Sequence, residues 1–206
     1  MAKKTKLGKP PCNDLFTPAE VLSWLPPRDF DPSWNAESLT DPRYYYDIEL
    51  DGLDPDNPWN RPDVEVIFCN PPYQNMKYWV YRMLMASLHP TRPQVWALIQ
   101  AMPGEPYWTH YIWPYAHAVG NLAGRLRHLR PAGIEPEKSG GTFNSSLILW
   151  DTDPARADRA VAEVLRRSVG SAHAPVFVSP VHRLSAPAEP LHPDHISRSR
   201  LKERRT

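Results

Sequence analysis

The residues best suited to chemistry are the tetrapeptide Asn70-Pro71-Pro72-Tyr73, which directly follows an apolar run. Neither proline has a backbone N–H, so the turn presents carbonyl oxygens with few competing donors. The Asn70 side chain adds an amide oxygen that accepts hydrogen bonds, and the Tyr73 ring offers a flat apolar face. Two acceptors beside a stacking surface suit an exocyclic amino group on a planar heterocycle.

Such an amine is a poor nucleophile because its lone pair is delocalised into the ring. Two acceptors that take both N–H bonds favour the more tetrahedral nitrogen of a transition state, which is electrostatic preorganisation rather than metal chemistry. A methyl group on a sulfonium is an electrophile that needs no strong base to activate it. The tetrapeptide is therefore a candidate site for methyl transfer, and the competing interpretation is a rigid proline loop that caps a strand.

The elements that must position this turn alternate between strands and helices. The near-continuous apolar run Val64–Cys69 is typical of a buried parallel strand, and a helix is predicted over residues 75–88. Other strands are predicted near residues 28–31, 95–101, 117–119 and 146–150. Residues 32–62 are predicted to form loops, in which Tyr44-Tyr45-Tyr46 is the only strand-like run. Other helices are predicted over residues 17–25, 105–113 and 153–167, with Thr17 as the N-cap of the first. The pattern predicts an α/β fold with a mostly parallel open sheet. Ligands of such sheets bind outside the carboxyl ends of the strands, where the tetrapeptide lies.

Composition narrows the class of protein. The chain has 206 residues, of which 41% are hydrophobic, which is enough for one core. Its 25 prolines against nine glycines indicate rigid loops and short elements. No apolar run approaches the ~20 residues of a membrane span, so we expect a cytoplasmic protein with no membrane partner. Cys12 and Cys69 form no metal-type spacing, and no metal is expected.

The net charge of +1 is unevenly distributed along the chain. Residues 1–9 and residues 198–206 each carry a net charge of +4, and residues 10–197 carry −7. The basic ends either contact nucleic-acid phosphates or are solvated termini. Within the acidic body, Arg125 and Arg127 alternate with apolar residues, which fits either a strand edge facing DNA phosphate or a solvated face.

Several short pieces follow one another in a recognisable order: Thr17-Pro18, Phe30-Asp31-Pro32-Ser33-Trp34, Tyr44-Tyr45-Tyr46, Asp51-Gly52-Leu53, Trp59, Phe68-Cys69-Asn70-Pro71-Pro72-Tyr73, Trp79, Trp108, Gly124-Arg125-Leu126 and Ser145-Ser146-Leu147-Ile148. In order and spacing they resemble the phage N-6-adenine DNA methyltransferase (Dam-type) family, over about two thirds of the chain. The resemblance implies a Rossmann-like methyltransferase fold, S-adenosylmethionine as methyl donor, and the N6 amine of an adenine flipped out of double-stranded DNA as acceptor.

The resemblance also implies roles for the residues of the turn. Asn70 and Pro71 would hold the target amine. Pro72 would shape the turn, and Tyr73 would stack on the extruded base. Arg125 and Arg127 are then expected to contact DNA.

Cofactor residues are implied in the same way. Thr17-Pro18 and Asp31-Pro32 would lie near the methionine part of S-adenosylmethionine, and Asp51 would meet its adenosine part. Methyltransferases of this fold usually have a glycine-rich turn after the first strand, whereas here no glycine follows Asp31 until Gly52. Trp34 and the tyrosines of 44–46 are either core or cofactor-stacking aromatics.

Three segments are expected: a basic flexible amino terminus over residues 1–12, a methyltransferase domain over residues 13–170, and a largely loose tail over residues 171–206. The tetrapeptide alone is also compatible with an amino-methyltransferase acting on cytosine N4, RNA or protein glutamine. The missing glycine-rich turn is compatible with a non-catalytic nucleic-acid-binding relative.

Overall fold

A seven-stranded sheet forms the centre of the protein in the computed structural model, which describes residues 15–129, 143–178 and 189–196. The strands are β1 Phe30–Asp31, β2 Tyr44–Tyr45, β3 Val66–Cys69, β4 Gln94–Gln100, β5 Ala118–Leu122, β6 Ser145–Trp150 and β7 Pro175–Val178. The helices are α1 Ala19–Trp24, α2 Met76–Leu88 and α3 Pro154–Arg167, with a π-helical turn at Trp108–Ile112 and a 3₁₀ turn at Pro193–His195.

The strands lie in the order β2-β1-β3-β4-β6-β5-β7. The pairs β2–β1, β1–β3 and β3–β4 are parallel, whereas β6 is antiparallel to both β4 and β5, and β7 is antiparallel to β5. The α/β class is confirmed. The expectation of a mostly parallel sheet is wrong, because half of the strand pairs are antiparallel and the sheet is mixed.

Apolar side chains cover both faces of the sheet. One cluster packs beneath α2 and the π-helical turn, and its members include Phe30, Ile67, Val95, Met83 and Tyr111. The other packs beneath α1 and α3, and its members include Phe68, Trp96, Leu98, Trp24 and Val164. Alternate residues of β3 and β4 therefore enter opposite cores, which is why these strands read as continuous apolar runs.

The start of α1 differs from the expectation. Pro18, not Thr17, is the N-cap residue, and no side chain caps the helix. Thr17 is buried and lies at the carboxyl end of the sheet. Threonine is a favoured N-cap residue, but here tertiary packing buries Thr17 and the helix begins one residue later.

The expectation of a loose tail after Gly170 is wrong for two segments. β7 pairs with β5, so the sheet continues beyond the predicted domain boundary. Residues 189–196 pack against α2 and the π-helical turn: Tyr111 Oη donates to the Leu191 carbonyl at 2.7 Å, and Lys77 Nζ donates to the Pro193 carbonyl at 3.2 Å. The remaining residues of the predicted tail, and those of the predicted amino-terminal segment 1–12, lie outside the described ranges.

A close backbone approach fixes the loop that follows β2. A Cβ on Gly52 would lie 2.0 Å from the Pro32 carbonyl oxygen and 2.8 Å from the Trp79 ring. The Gly52 carbonyl also accepts a 2.9 Å hydrogen bond from Trp59 Nε1. Only glycine allows this loop to lie against the residue that follows β1.

No helix among these described ranges is long and apolar enough to span a membrane.

Replacing Gly52 with alanine should destabilise the protein by on the order of 1–3 kcal/mol, because the added methyl group overlaps backbone and ring atoms that cannot both retreat. Urea unfolding of the variant and the wild type measures the difference. Gly104→Ala is the matched control, since nothing lies within 4 Å of a Cβ at that glycine. Equal losses in the two variants would contradict the packing argument.

Candidate active site

The sheet changes direction of winding between β1 and β3. From β1 the chain proceeds to β2 on one side, and from β3 it proceeds to β4 on the other. Such a switch point opens a crevice outside the carboxyl ends of the two strands, where α/β proteins bind ligands. Asp31 is the last residue of β1 and Asn70 follows the last residue of β3, so both lie at this crevice.

A small cleft occupies the switch point and brings together three of the predicted site residues, Thr17, Asp31 and Asn70. Its complete lining is Leu15, Phe16, Thr17, Asp31, Ser33, Ser38, Thr40, Phe68 and Asn70. The volume of the cleft is about 20 Å³, which is room for about one water molecule.

Asp31 is the buried acid of the cleft, with 3% of its surface exposed. One carboxylate oxygen accepts hydrogen bonds from the Ser33 amide at 3.0 Å and the Ser33 hydroxyl at 3.1 Å, and the other accepts from the Thr40 hydroxyl at 2.9 Å. Burial raises the pKa of Asp31 to about 6, although these bonds and the more distant Arg28 favour the charged form. No ion pair among the described residues involves Asp31. A cation bound beside it would therefore restore its ionisation.

The Asn70 side chain is oriented by the segment that precedes α1. Its Nδ2 donates to the Leu15 carbonyl oxygen at 2.7 Å. Because a carbonyl can only accept, the amide nitrogen must face Leu15. No described residue donates to the side-chain oxygen Oδ1, which could therefore accept a hydrogen bond from an amino group in the cleft.

Tyr73 is held by an aromatic partner that the sequence did not indicate. Its ring meets Phe143 edge-to-face, with centroids 5.0 Å apart and planes at 89°. Phe143 in turn packs on His128 at 5.5 Å, and His128 Nε2 lies 3.3 Å from the Ser145 hydroxyl. Burial raises the pKa of the Tyr73 hydroxyl and lowers the pKa of His128 to about 4, so both side chains are neutral at pH 7.

Phe143 and His128 carry no periodic signal, because each lies in an irregular segment outside a strand. Both residues are also far from Tyr73 in the chain. Nothing short of the folded structure brings them to Tyr73.

The remaining turn and cofactor residues lie at the same edge of the sheet but outside the cleft lining. Pro71 and Pro32 are buried, Pro72 is half-buried, and Pro18 begins α1. Asp51 is exposed, adopts a left-handed φ of 38°, and accepts a hydrogen bond from the Leu53 amide at 2.9 Å. The loop of Asp51 approaches β1 through Gly52, but the structure does not bring Asp51 into the cleft with Asp31.

The aromatic run after Thr40 divides between core and surface. Tyr46 is 7% exposed and belongs to the core. Tyr45 is 43% exposed and packs on Trp34, with ring centroids 4.2 Å apart. This pair lies at the carboxyl ends of β1 and β2.

Arg125 and Arg127 are exposed on either side of the buried Leu126. Two residues further on, the Leu129 amide donates to the Phe16 carbonyl at 3.0 Å, and the Phe16 amide donates to the Leu129 carbonyl at 2.8 Å. Phe16 lines the cleft, so this segment returns the chain to the edge of the site. Arg130, which follows in the sequence, lies outside the described ranges.

No known family model matches the chain, and no curated protein matches it. Within the described ranges, no three histidine, cysteine, aspartate or glutamate side chains cluster so as to hold a metal ion. Inference of function therefore depends on the geometry of the cleft and the turn.

Replacing Asp31 with asparagine tests the buried acid. The pKa of Asp31 is about 6 in the folded state against 3.8 for the ordinary carboxyl, so the carboxyl stabilises the fold below pH 3.8 and loses that contribution as pH rises through 6. Asparagine does not titrate. The free energy of unfolding of the variant, measured against wild type by urea titration, should therefore improve by about 2 kcal/mol from pH 4 to pH 8. A pH-independent difference would contradict the raised pKa.

Proposed function

We propose that this protein is a methyltransferase that moves a methyl group from S-adenosylmethionine to the N6 amine of adenine in DNA. The observation that carries the proposal is the meeting of Asp31 and Asn70 in one cleft at the switch point. A buried acid that forms no ion pair with the described part of the chain suits a cationic donor, and an oriented amide oxygen suits an amine acceptor. The two groups together match the charge of the donor and the hydrogen bonds of the acceptor.

The strand order supports a Rossmann-like methyltransferase fold. The run β2-β1-β3-β4 is parallel throughout and corresponds to the Rossmann order 3-2-1-4-5 without its outermost strand. The two halves of such a sheet diverge where the ligand binds. Here that point lies between Asp31 and Asn70.

The acidic side chain in the cleft complements the positive charge of S-adenosylmethionine. The donor has a positive sulfonium and a positive ammonium, and Asp31 is a carboxyl whose ionised form is disfavoured until a cation approaches. When bound, the donor supplies the electrophilic methyl group. Because the cleft has room for about one water molecule, it would receive at most the ammonium group of the donor. The resemblance assigns the adenosine part to Asp51, which is outside the cleft.

The acceptor side follows from the turn. Asn70 Oδ1 would accept one N–H of the adenine amine and the Pro71 carbonyl the other, which draws electron density toward the nitrogen as it becomes tetrahedral. Phe143 holds the orientation of the Tyr73 ring, which would stack on the base. An adenine in duplex DNA reaches the Asn70–Tyr73 turn only after leaving the base stack. We place the reaction in the cytoplasm of a bacterial or phage-infected cell.

Two experiments test the proposal against its alternatives. Incubation with labelled S-adenosylmethionine and separate pools of DNA, RNA and protein identifies the acceptor, and digestion of labelled DNA to nucleosides separates N6-methyladenine from N4-methylcytosine. Calorimetry with S-adenosylmethionine tests the non-catalytic alternative. Label in RNA, protein or cytosine would reject the DNA-adenine assignment, and absence of donor binding would reject the methyltransferase.

Asn70→Ala should reduce single-turnover methylation at saturating donor by roughly 100- to 1,000-fold, because one preorganised acceptor of the transition state is lost. Donor affinity should remain within a few-fold of wild type, since Asp31 is unchanged. Tyr73→Phe is the matched control within the turn and should be mild, because it keeps the aromatic face. Equal rates for Asn70→Ala and wild type would make the turn a structural cap only.

Replacing Arg125 and Arg127 with alanine should weaken DNA binding without changing sequence preference. Each phosphate contact releases about 0.9 counterion, so the slope of log K against log salt should become shallower by up to about 2. Fluorescence anisotropy with a labelled duplex at salt concentrations from 50 to 200 mM measures this slope, because the screening of charges changes strongly over that range. An unchanged slope would remove both arginines from the interface.

A further inference from the structure

One peptide group connects the Asn70 side chain to a distant part of the chain. The Leu15 carbonyl oxygen accepts a hydrogen bond from Asn70 Nδ2 at 2.7 Å. The Phe16 N–H belongs to the same peptide group and donates to the Leu129 carbonyl oxygen at 2.8 Å. Because the C=O and N–H of a planar trans peptide point in opposite directions, this peptide is held between Leu129 on one side and Asn70 on the other.

The connection is an antiparallel bridge between Phe16 and Leu129 in which both hydrogen bonds are formed. The Leu129 amide donates back to the Phe16 carbonyl oxygen at 3.0 Å. Phe16 is buried and lines the cleft, whereas 40% of the Leu129 surface is exposed. Leu129 therefore supports the cleft through its backbone more than through its side chain.

The residue beside Leu129 reaches the other end of the turn. His128 packs on Phe143 with ring centroids 5.5 Å apart, and Phe143 meets Tyr73 edge-to-face with centroids 5.0 Å apart. Two neighbouring residues, His128 and Leu129, are therefore linked through one intermediary each to Tyr73 and Asn70. These are the two side chains of the turn that carry the proposed chemistry.

Building on the methyltransferase function above, we propose that His128 and Leu129 are positioning residues, which together set the acceptor oxygen of Asn70 and the ring of Tyr73. Successive hydrogen bonds in a chain polarise one another. The chain from the Leu129 carbonyl through the peptide of residues 15 and 16 to Asn70 Nδ2 therefore fixes the orientation of the Asn70 amide and makes its Oδ1 a stronger acceptor. The two residues act through the turn and not on the adenine itself.

Leu129→Pro tests the bridge, because proline lacks the N–H that donates to the Phe16 carbonyl. Leu129→Ala is the matched control, since it shortens the same exposed side chain and keeps that N–H. Nuclear magnetic resonance of the protein alone reports both ends of the turn, through the Asn70 side-chain amide and the Tyr73 ring in samples with isotope-labelled asparagine and tyrosine. Asn70→Asp and Tyr73→Phe assign the two signals by removing them.

We expect Leu129→Pro to accelerate solvent exchange of the Asn70 side-chain amide by roughly fivefold, because the bridge loses one hydrogen bond of ordinary strength and opens more often. The same variant should shift the Tyr73 ring signal, and Leu129→Ala should do neither. A change at only one end of the turn, or equal changes in the alanine control, would overturn the proposal.

Hydrogen exchange of the wild type decides the question if Leu129→Pro fails to fold. The Phe16 and Leu129 backbone amides and the Asn70 side-chain amide should then show equal protection, because one opening event exposes all three. An unprotected Asn70 amide beside a protected bridge would overturn the proposal.

Two ring variants test the link to Tyr73. His128→Asn removes the ring that packs on Phe143, and Phe143→Leu removes the ring that meets Tyr73, so each should shift the Tyr73 signal. Phe177→Leu is the matched control, because Phe177 is also half-buried and also meets an aromatic ring edge-to-face, but packs in the opposite core. An unshifted Tyr73 signal in either ring variant, or an equal shift in the control, would contradict the role of His128.

Single-turnover kinetics connect the positioning residues to the reaction. At saturating DNA and donor, Leu129→Pro should methylate at least about fivefold more slowly than Leu129→Ala, while the two variants bind the donor equally well, because the bridge acts on the acceptor side. The resonance signals need no methylation. A wild type that methylates no DNA overturns the proposed function alone, and unshifted signals in a methylating protein overturn the positioning role alone.

Discussion

The Asp29 carboxylate fixes the alignment on which the site depends. One of its oxygens accepts hydrogen bonds from the Glu65 and Val66 amides at 2.9 and 3.0 Å, and the Asp29 amide donates to the Val66 carbonyl. On the other side, the Asp29 carbonyl accepts from the Tyr44 amide at 2.8 Å. Asp29 thus ties the start of β1 to both neighbouring strands. In a strand of two residues, a slip of one position would turn Asp31 to the opposite face of the sheet.

Once the register of β1 is fixed, the strands themselves place Asp31 and Asn70 at the same end of the sheet. Asp31 ends β1, and Asn70 follows β3, whose pairing with β4 continues from Val66 to Cys69. Both faces of the longer parallel pair β3–β4 are buried, and the proline turn directly follows β3. The loops around the cleft supply the remaining hydrogen bonds, through Ser33 and Thr40.

Local sequence pattern predicted the elements that have a strong period or a continuous apolar run. The predicted bounds of five elements agree with the structure within two residues: β3, β4, β6, α2 and α3. Burial on both faces of a strand produces a continuous apolar run, and burial of one helical face produces a helical apolar period. The pattern missed β2, which lies in a region predicted to be loops but pairs with β1. It also missed β7 and the segment 189–196, because distant partners order them. Phe177 packs where Gly120 has no side chain, and Ile196 enters a core built by α2. Among the site residues, Asp31 and Asn70 follow strands and were readable, whereas Phe143 and His128 reach Tyr73 only through the tertiary fold.

The presence of an amide at position 70, where an acid would also offer an oxygen acceptor, has a physical consequence for Asp31. Two carboxyl groups in one dry cleft repel each other when ionised, so at least one of their pKa values rises strongly. Burial raises the pKa of Asp31 to about 6, and burial, with a smaller contribution from Asp31, raises the pKa of the neighbouring Cys69 thiol. A second acid would keep one carboxyl protonated near neutral pH and remove either the proposed cation site or an acceptor. Because Asn70 does not titrate, its oxygen accepts at any pH, and Asp31 is left free to respond to a cation alone.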